Sequence, residues 1–158
     1  MTDTTDIALR LIAATLIGMV IGTNRDVRGK PAGMRTMGLI ALGAAMLGVS
    51  ATHLPLLQND PNALSRLLQG VIQGVMAGIG FLGAGVLFQR HQTFEVHGMT
   101  TAAAIWATAV LGITAGLAVW PVFLIGAAVT LFLLIVMRPV ENWFERLGAK
   151  TDRKPPEN

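Results

Sequence analysis

The sequence predicts an all-α integral membrane protein, a bundle of five transmembrane helices with the N-terminus outside the cell and the C-terminus in the cytoplasm. Two observations predict this fold class. Five apolar runs approach or reach the roughly 20 residues that a membrane span needs, and most of the basic residues lie in short segments between or after these runs. Composition agrees, because 53% of the 158 residues are hydrophobic and only 13% are charged.

The apolar runs are too long for buried strands and lack the alternation of a β-barrel. They comprise residues 7–23, 34–52, 67–88, 100–117 and 120–137. The last two are so close in sequence that we predict a tight hairpin, with Pro121 suited to a first helical turn. We therefore expect one transmembrane domain over residues 1–137 and a short, partly disordered cytoplasmic tail over residues 138–158.

The segment between the first two runs is short and basic. Its charged residues are Arg25, Asp26, Arg28 and Lys30, and Arg35 follows at the start of the second run. Loops rich in Arg and Lys between membrane spans are retained on the cytoplasmic side. The tail after residue 137 is also basic, whereas the N-terminal tail has no Lys or Arg. Five spans place both basic segments in the cytoplasm, which fixes the predicted orientation.

Composition and motifs exclude several classes of function. The net charge is only +3, and no basic surface interleaved with aromatic residues indicates nucleic-acid binding. No cysteine is present to form a thiolate metal site, and no phosphate-binding loop indicates a nucleotide-driven pump. We therefore expect neither enzymatic activity nor a metal or other cofactor. A channel or carrier is not excluded.

Small residues recur four positions apart in three spans, a pattern that lets helix backbones approach closely. The rows are Gly18 and Gly22 in the first span, Gly70, Gly74 and Gly78 in the third, and Ala104, Thr108, Gly112 and Gly116 in the fourth. We expect these three spans to form the tightly packed core of the bundle. The alternative is that glycine is merely frequent in membrane helices.

Few polar side chains lie within the spans, and none of the span cores contains Asp or Glu. Arg10 follows Asp6 by four residues, and such a pair near the membrane surface is either structural or functional. Gln69 and Gln73 lie one turn apart in the third span. They either hydrogen-bond to a neighbouring helix or line a polar path.

The densest group of polar residues lies at the predicted cytoplasmic ends of the second and fourth spans. Both helices direct their N-termini, with free N–H groups and partial positive charge, towards the cytoplasm. The predicted binding cluster is Arg25, Asp26, Arg35, Thr36, Thr100 and Thr101. This cluster favours an anion, such as a phosphate group, a lipid headgroup or an acidic partner surface. The alternative is that the arginines only orient the protein in the bilayer.

Several motifs in order along residues 10–116 resemble the MgtC/SapB family of membrane proteins. They are GMVIG at 18–22, RGKPAGMRT at 28–36, GIGFLGAGV at 78–86 and GMTTAA at 98–103, followed by Trp106. Each motif alone is weak, but the ordered set is highly specific. The chain departs from the family at Asn24, where a glutamate usually precedes the arginine, so that Asp26 would have to take over any role of that carboxylate. Many members also carry a soluble cytoplasmic domain after the last span, which we do not expect here.

The resemblance implies a non-enzymatic protein of the bacterial inner membrane that is linked to adaptation to low magnesium and, in some pathogens, to virulence. It also implies action through contacts with other membrane proteins, an F-type ATP synthase among them. We expect a homo-oligomer or a complex with such proteins in the lipid bilayer. The alternative is a small channel or carrier for magnesium or another solute.

Overall fold

The computed structural model describes residues 4–54, 60–87 and 98–151, and all the regular secondary structure in these ranges is helical. The helices are α1 (Thr4–Asp26), α2 (Met34–Thr52), α3 (Pro61–Leu87), α4 (Met99–Gly116) and α5 (Trp120–Thr151). Each contains a segment long and apolar enough to cross a membrane. The predicted fold class, an all-α bundle of five membrane-spanning helices, is confirmed.

Three helices are longer than predicted. α1 extends beyond the predicted run of residues 7–23 at both ends. α3 begins at Pro61, six residues before the predicted start at residue 67, because Asp60 caps it: the Asp60 Oδ1 atom accepts hydrogen bonds from the N–H groups of Asn62 and Ala63 at 3.0 and 3.1 Å. The fifth helix continues through Pro139 to Thr151, beyond the predicted end at residue 137. The sequence predicts disorder over residues 151–158; Thr151 is still helical, and residues 152–158 lie outside the described residues.

The helices α1, α2 and α4 form the most closely packed part of the bundle. α1 runs antiparallel to both α2 and α4. The backbone of α2 comes close to the backbones of α1 and α4. A side chain would not fit at four glycines that face α2: Gly18 and Gly22 on α1, and Gly112 and Gly116 on α4. A Cβ atom at Gly112, for example, would lie 2.9 Å from the Ala44 Cβ atom. Dispersion forces between such closely packed helices stabilise a bundle in lipid.

The glycine row of α3 does not pack in this way, which corrects the prediction for the third span. Gly70, Gly74 and Gly78 are exposed, and a Cβ atom at any of them would meet no atom within 4 Å. α3 instead packs against α4 through the face that carries Ile79 and Gly83. Because an α-helix turns 100° per residue, Gly70 lies on the opposite face from Ile79. Gly70, Gly74 and Gly78 therefore do not contact the rest of the described chain.

α4 and α5 form the predicted tight hairpin. The N–H groups of Ala118 and Val119 donate to the carbonyls of Ala115 and Thr114 at 3.0 and 2.9 Å. This pair of bonds is a Schellman motif, which ends a helix with one residue in the left-handed conformation. Here that residue is Ala118, with φ of +58°.

Candidate functional site

Two clusters of polar side chains lie at opposite ends of the bundle. We call the end at which α1 ends and α4 begins the Arg25 end, and the end at which α1 begins and α4 ends the Arg10 end. Three basic side chains at the Arg25 end line a cavity, whereas Asp6 and Arg10 at the other end bond to each other and Arg10 also bonds to the backbone.

A second Schellman motif folds the chain back after α1. The Gly29 N–H group donates to the Asp26 carbonyl at 3.0 Å, and the Lys30 N–H group donates to the Arg25 carbonyl at 3.1 Å. Gly29 has φ of +58°, a conformation that favours glycine over residues with a side chain. The tight turn keeps Arg25, Arg28 and Lys30 beside the same cavity.

Two of these basic side chains connect α1 and its loop to neighbouring helices. Arg25 is only 4% exposed, and its Nη2 atom donates a hydrogen bond to the Thr101 Oγ1 atom in the first turn of α4. Arg28 donates from Nη1 to the Leu134 carbonyl of α5 at 3.1 Å. The positions of both guanidinium groups are therefore set by packing against α4 and α5, and not by solvent.

The cavity at the Arg25 end has a volume of about 170 Å³. It is lined by Arg25, Arg28 and Lys30, by Gly98, Thr100 and Thr101 at the start of α4, and by Leu133 and Leu134 of α5. Three of these eight lining residues are basic and none is acidic. Within the described part of the chain, the walls of the cavity therefore carry a net positive charge.

Asp26 serves a different purpose from the one predicted for it. Its Oδ2 atom accepts a hydrogen bond from the Met34 N–H group at 2.7 Å, so that it caps the N-terminus of α2 from the end of α1. Gly33 permits this approach, because a Cβ atom there would lie 2.5 Å from the Asp26 Cγ atom. The family resemblance would have Asp26 take over the role of the glutamate that Asn24 replaces. In this structure the Asp26 carboxylate instead caps α2.

Arg35 and Thr36 lie on the exposed side of α2 and do not line the cavity. Arg35 borders a separate shallow groove with Thr15 and Met19 of α1. The structure thus brings together three residues of the predicted cluster, Arg25, Thr100 and Thr101, and separates the other three from them. The structure adds Arg28 and Lys30 to the lining of the cavity. Gly29 between them could have indicated a turn that ends α1 and brings both side chains near Arg25.

At the Arg10 end, Arg10 ties two helices together. Its Nη2 atom lies 2.5 Å from the Asp6 Oδ2 atom, and its Nη1 atom donates to the Gly116 carbonyl at 3.2 Å. Gly116 ends α4, where carbonyls lack partners within the helix and a cation is favoured. These contacts favour the structural alternative for Arg10.

The two glutamines of α3 do not join either cluster. Gln69 and Gln73 are exposed, border a shallow groove with Leu68 and Ile72, and make no hydrogen bond to the described residues. Among those residues, moreover, no group of three His, Asp or Glu side chains converges in a way that could hold a metal ion.

Comparison with known proteins identifies the family. A sequence model of the MgtC family matches residues 11–143. The chain belongs to the MgtC family. It is 41% identical to Protein SrpB of Synechococcus elongatus over 140 residues, which cover 84% of this chain and 75% of that protein. No solved structure matches the chain.

Other relatives of this MgtC-family protein are longer than the shared region. The chain is 38% identical to Protein SapB of Bacillus subtilis over 115 residues, which cover 68% of this chain but only 46% of SapB. It is 36% identical to a protein of Escherichia coli K12 named a putative magnesium transporter, YhiD, over 84% of this chain and 61% of YhiD. The shared region therefore spans about half to three quarters of these relatives. Together with its five apolar helices, family membership makes the chain a multi-pass membrane protein.

Proposed function

We propose that this protein is a non-enzymatic regulator in the bacterial inner membrane that supports adaptation to low magnesium. It acts through contacts with other membrane proteins, as the family resemblance implies, and in a pathogen this role extends to virulence. An F-type ATP synthase is the first partner to test. Membership of the MgtC family and the magnesium-related name of YhiD support the link to magnesium.

The observation that carries this proposal is the closely packed apolar core between the two polar ends of the bundle. Side chains at most 2% exposed fill this region: Ala14, Ile21, Met37, Ala41, Ala45, Ile105 and Ala109. The hydroxyl of Thr108, buried among them, lies 2.7 Å from the Ala104 carbonyl of its own helix. A hydrated cation needs polar groups along its path, and the Thr108 hydroxyl in this part of the described core is already bonded to its own helix.

The outer helices provide a surface for partners. In both α3 and α5, only 11% of the apolar segment is buried within the chain. In a bilayer such surfaces contact lipid or the helices of other proteins. The exposed row of Gly70, Gly74 and Gly78 is suited to close helix contact, so we place the partner helix, or a second copy of the chain, against α3.

The first experiment compares growth with flux. A deletion strain should grow more slowly than wild type at limiting magnesium, and the plasmid-borne protein should restore growth. The purified protein in liposomes should pass no more magnesium than empty liposomes, as measured with an enclosed magnesium-sensitive dye. Magnesium flux that depends on the protein would contradict the regulatory proposal and favour the alternative of a small channel or carrier.

A further inference from the structure

The cavity at the Arg25 end has a chemistry that the proposed function does not use. We propose that it binds a phosphate group, carried either by a phospholipid headgroup or by a soluble phosphate compound. The three basic residues that line it, with no acidic residue among its described lining, favour an anion over a metal cation. This inference goes beyond the proposed function and does not depend on it.

The basic side chains offer donors in fixed positions. Arg25 is held in place by Thr101, and Arg28 by the Leu134 carbonyl. A guanidinium has five N–H donors in a planar fork, so the bond from Nη1 of Arg28 leaves other donors for a ligand. Lys30 is exposed and makes no ion pair with a described residue. A phosphate could therefore bind one guanidinium fork and one ammonium group together.

The start of α4 adds to the positive potential of the cavity. The first N–H groups of a helix have no partner within it and carry partial positive charge, and Gly98 has no side chain to cap them. Gly98 has φ of +100°, and a Cβ atom there would lie 3.2 Å from the Val86 Cγ1 atom. Arg25, Arg28 and Lys30 thus lie beside a helix end whose own potential also favours an anion.

Charge favours a phosphate monoester over a carboxylate, and the volume of the cavity leaves room for it. A phosphate monoester carries close to two negative charges at neutral pH, which suits a site with three basic side chains better than a single carboxylate charge does. The volume of about 170 Å³ is well above the roughly 10–15 Å³ that a cavity needs to hold one water molecule, so a larger group fits. The wall of Leu133 and Leu134, on a membrane-spanning helix, also suits a phosphate at the level of the lipid headgroups.

The test uses variants that change the cavity without removing the buried Arg25. The double variant Arg28→Gln/Lys30→Gln removes two of the three charges that line it. Arg35→Gln removes an exposed charge near the same end, outside the cavity, and Arg66→Gln removes one at the opposite end. Circular dichroism and gel filtration establish that each variant is folded. We expect the double variant to bind phosphate at least about tenfold more weakly than wild type, and each comparison variant to bind within about twofold of wild type.

Two probes distinguish the sources of the phosphate. Calorimetry with inorganic phosphate on the protein in detergent tests a soluble ligand. Native mass spectrometry of protein taken from vesicles of phosphatidylglycerol and phosphatidylcholine tests a retained lipid. Saturable binding of either probe that is lost in the double variant supports the site. Failure of both probes to bind wild type, or equal weakening by Arg35→Gln, would overturn it. Neither result depends on growth at low magnesium, so the proposed function is judged separately.

Discussion

Arg10 and Arg25 lie on the same helix and contact opposite ends of α4. Arg10 donates to the last carbonyl of α4, at Gly116, where the helix dipole favours a cation. Arg25 donates to Thr101 near the first turn of α4, where the same dipole disfavours one. The contacts of Arg10 explain its position by local structure alone. The Arg25 end has, in addition, a cavity lined by three basic residues, which makes it the better candidate for binding.

The candidate site could be predicted from the sequence only in part. The basic loop and the predicted N-terminus of the fourth span indicated three residues that line the cavity, Arg25, Thr100 and Thr101, but proximity in sequence also suggested Arg35. The buried face of α2 includes Met37, Ala41 and Ala44, and Arg35 lies two residues before Met37, about 200° around the helix. The rotation of α2 depends on which neighbours it meets, and no local pattern of charges reveals this.

The contacts of Arg10 predict a loss of stability on substitution. Arg10→Met keeps an unbranched side chain but removes the ion pair with Asp6 and the hydrogen bond to Gly116. We expect the free energy of unfolding to fall by about 1.5–3 kcal/mol, the usual range for a hydrogen bond to a charged group. Unfolding by sodium dodecyl sulfate in mixed micelles measures this change. Arg66→Met removes an exposed charge at the same end and should change stability little; equal stability of both variants would contradict a structural role for Arg10.

At the scale of helices, the sequence predicted the existence and class of the elements better than their packing. Five apolar runs became five helices because spanning length and hydrophobicity are local properties. The glycine rows of α3 and α4 look alike in sequence, yet only the row of α4 meets a neighbouring backbone. A row of small residues permits close approach but does not determine which helix approaches. That depends on the arrangement of all five helices, which the row alone does not encode.

The two rows permit a matched comparison. Gly112→Leu inserts a side chain where a Cβ atom alone would lie 2.9 Å from the Ala44 Cβ atom. Overpacking of this kind costs about 1–3 kcal/mol or more, so we expect loss of folded protein or a clear fall in thermal stability in detergent. Gly74→Leu makes the same chemical change in open space and should leave the stability of the single chain near that of wild type.

The outcome for Gly74→Leu also tests whether α3 has a partner. If Gly74→Leu keeps its stability in detergent but fails to restore growth at low magnesium, the α3 surface is needed for a contact outside the chain. If Gly112→Leu is as stable as wild type, the close crossing of α2 and α4 is wrong.

In the whole molecule, an apolar core separates the two polar ends. The Arg10 end holds an ion pair between Asp6 and Arg10, whereas the Arg25 end has several cations and a cavity without an acidic residue among its described lining. This asymmetry matches the distribution of Arg and Lys in loops that orients membrane proteins. The same residues that would bind a phosphate would therefore also hold the Arg25 end at the cytoplasmic face. Both roles need positive charge on the side of the membrane where that charge is retained.

The distribution of charge predicts the topology of the whole chain. We expect fusions at the N-terminus or after His53 to be periplasmic, and fusions after Gly29 or Gly148 to be cytoplasmic, because basic segments resist export across the inner membrane. Two reporters give complementary signals at each site. Alkaline phosphatase is active only in the periplasm, whereas green fluorescent protein fluoresces in the cytoplasm and stays dark when it is exported unfolded. Phosphatase activity after Gly148 would mean an even number of crossings or an inverted bundle. An inverted bundle would place the cavity in the periplasm, out of reach of cytoplasmic phosphate compounds.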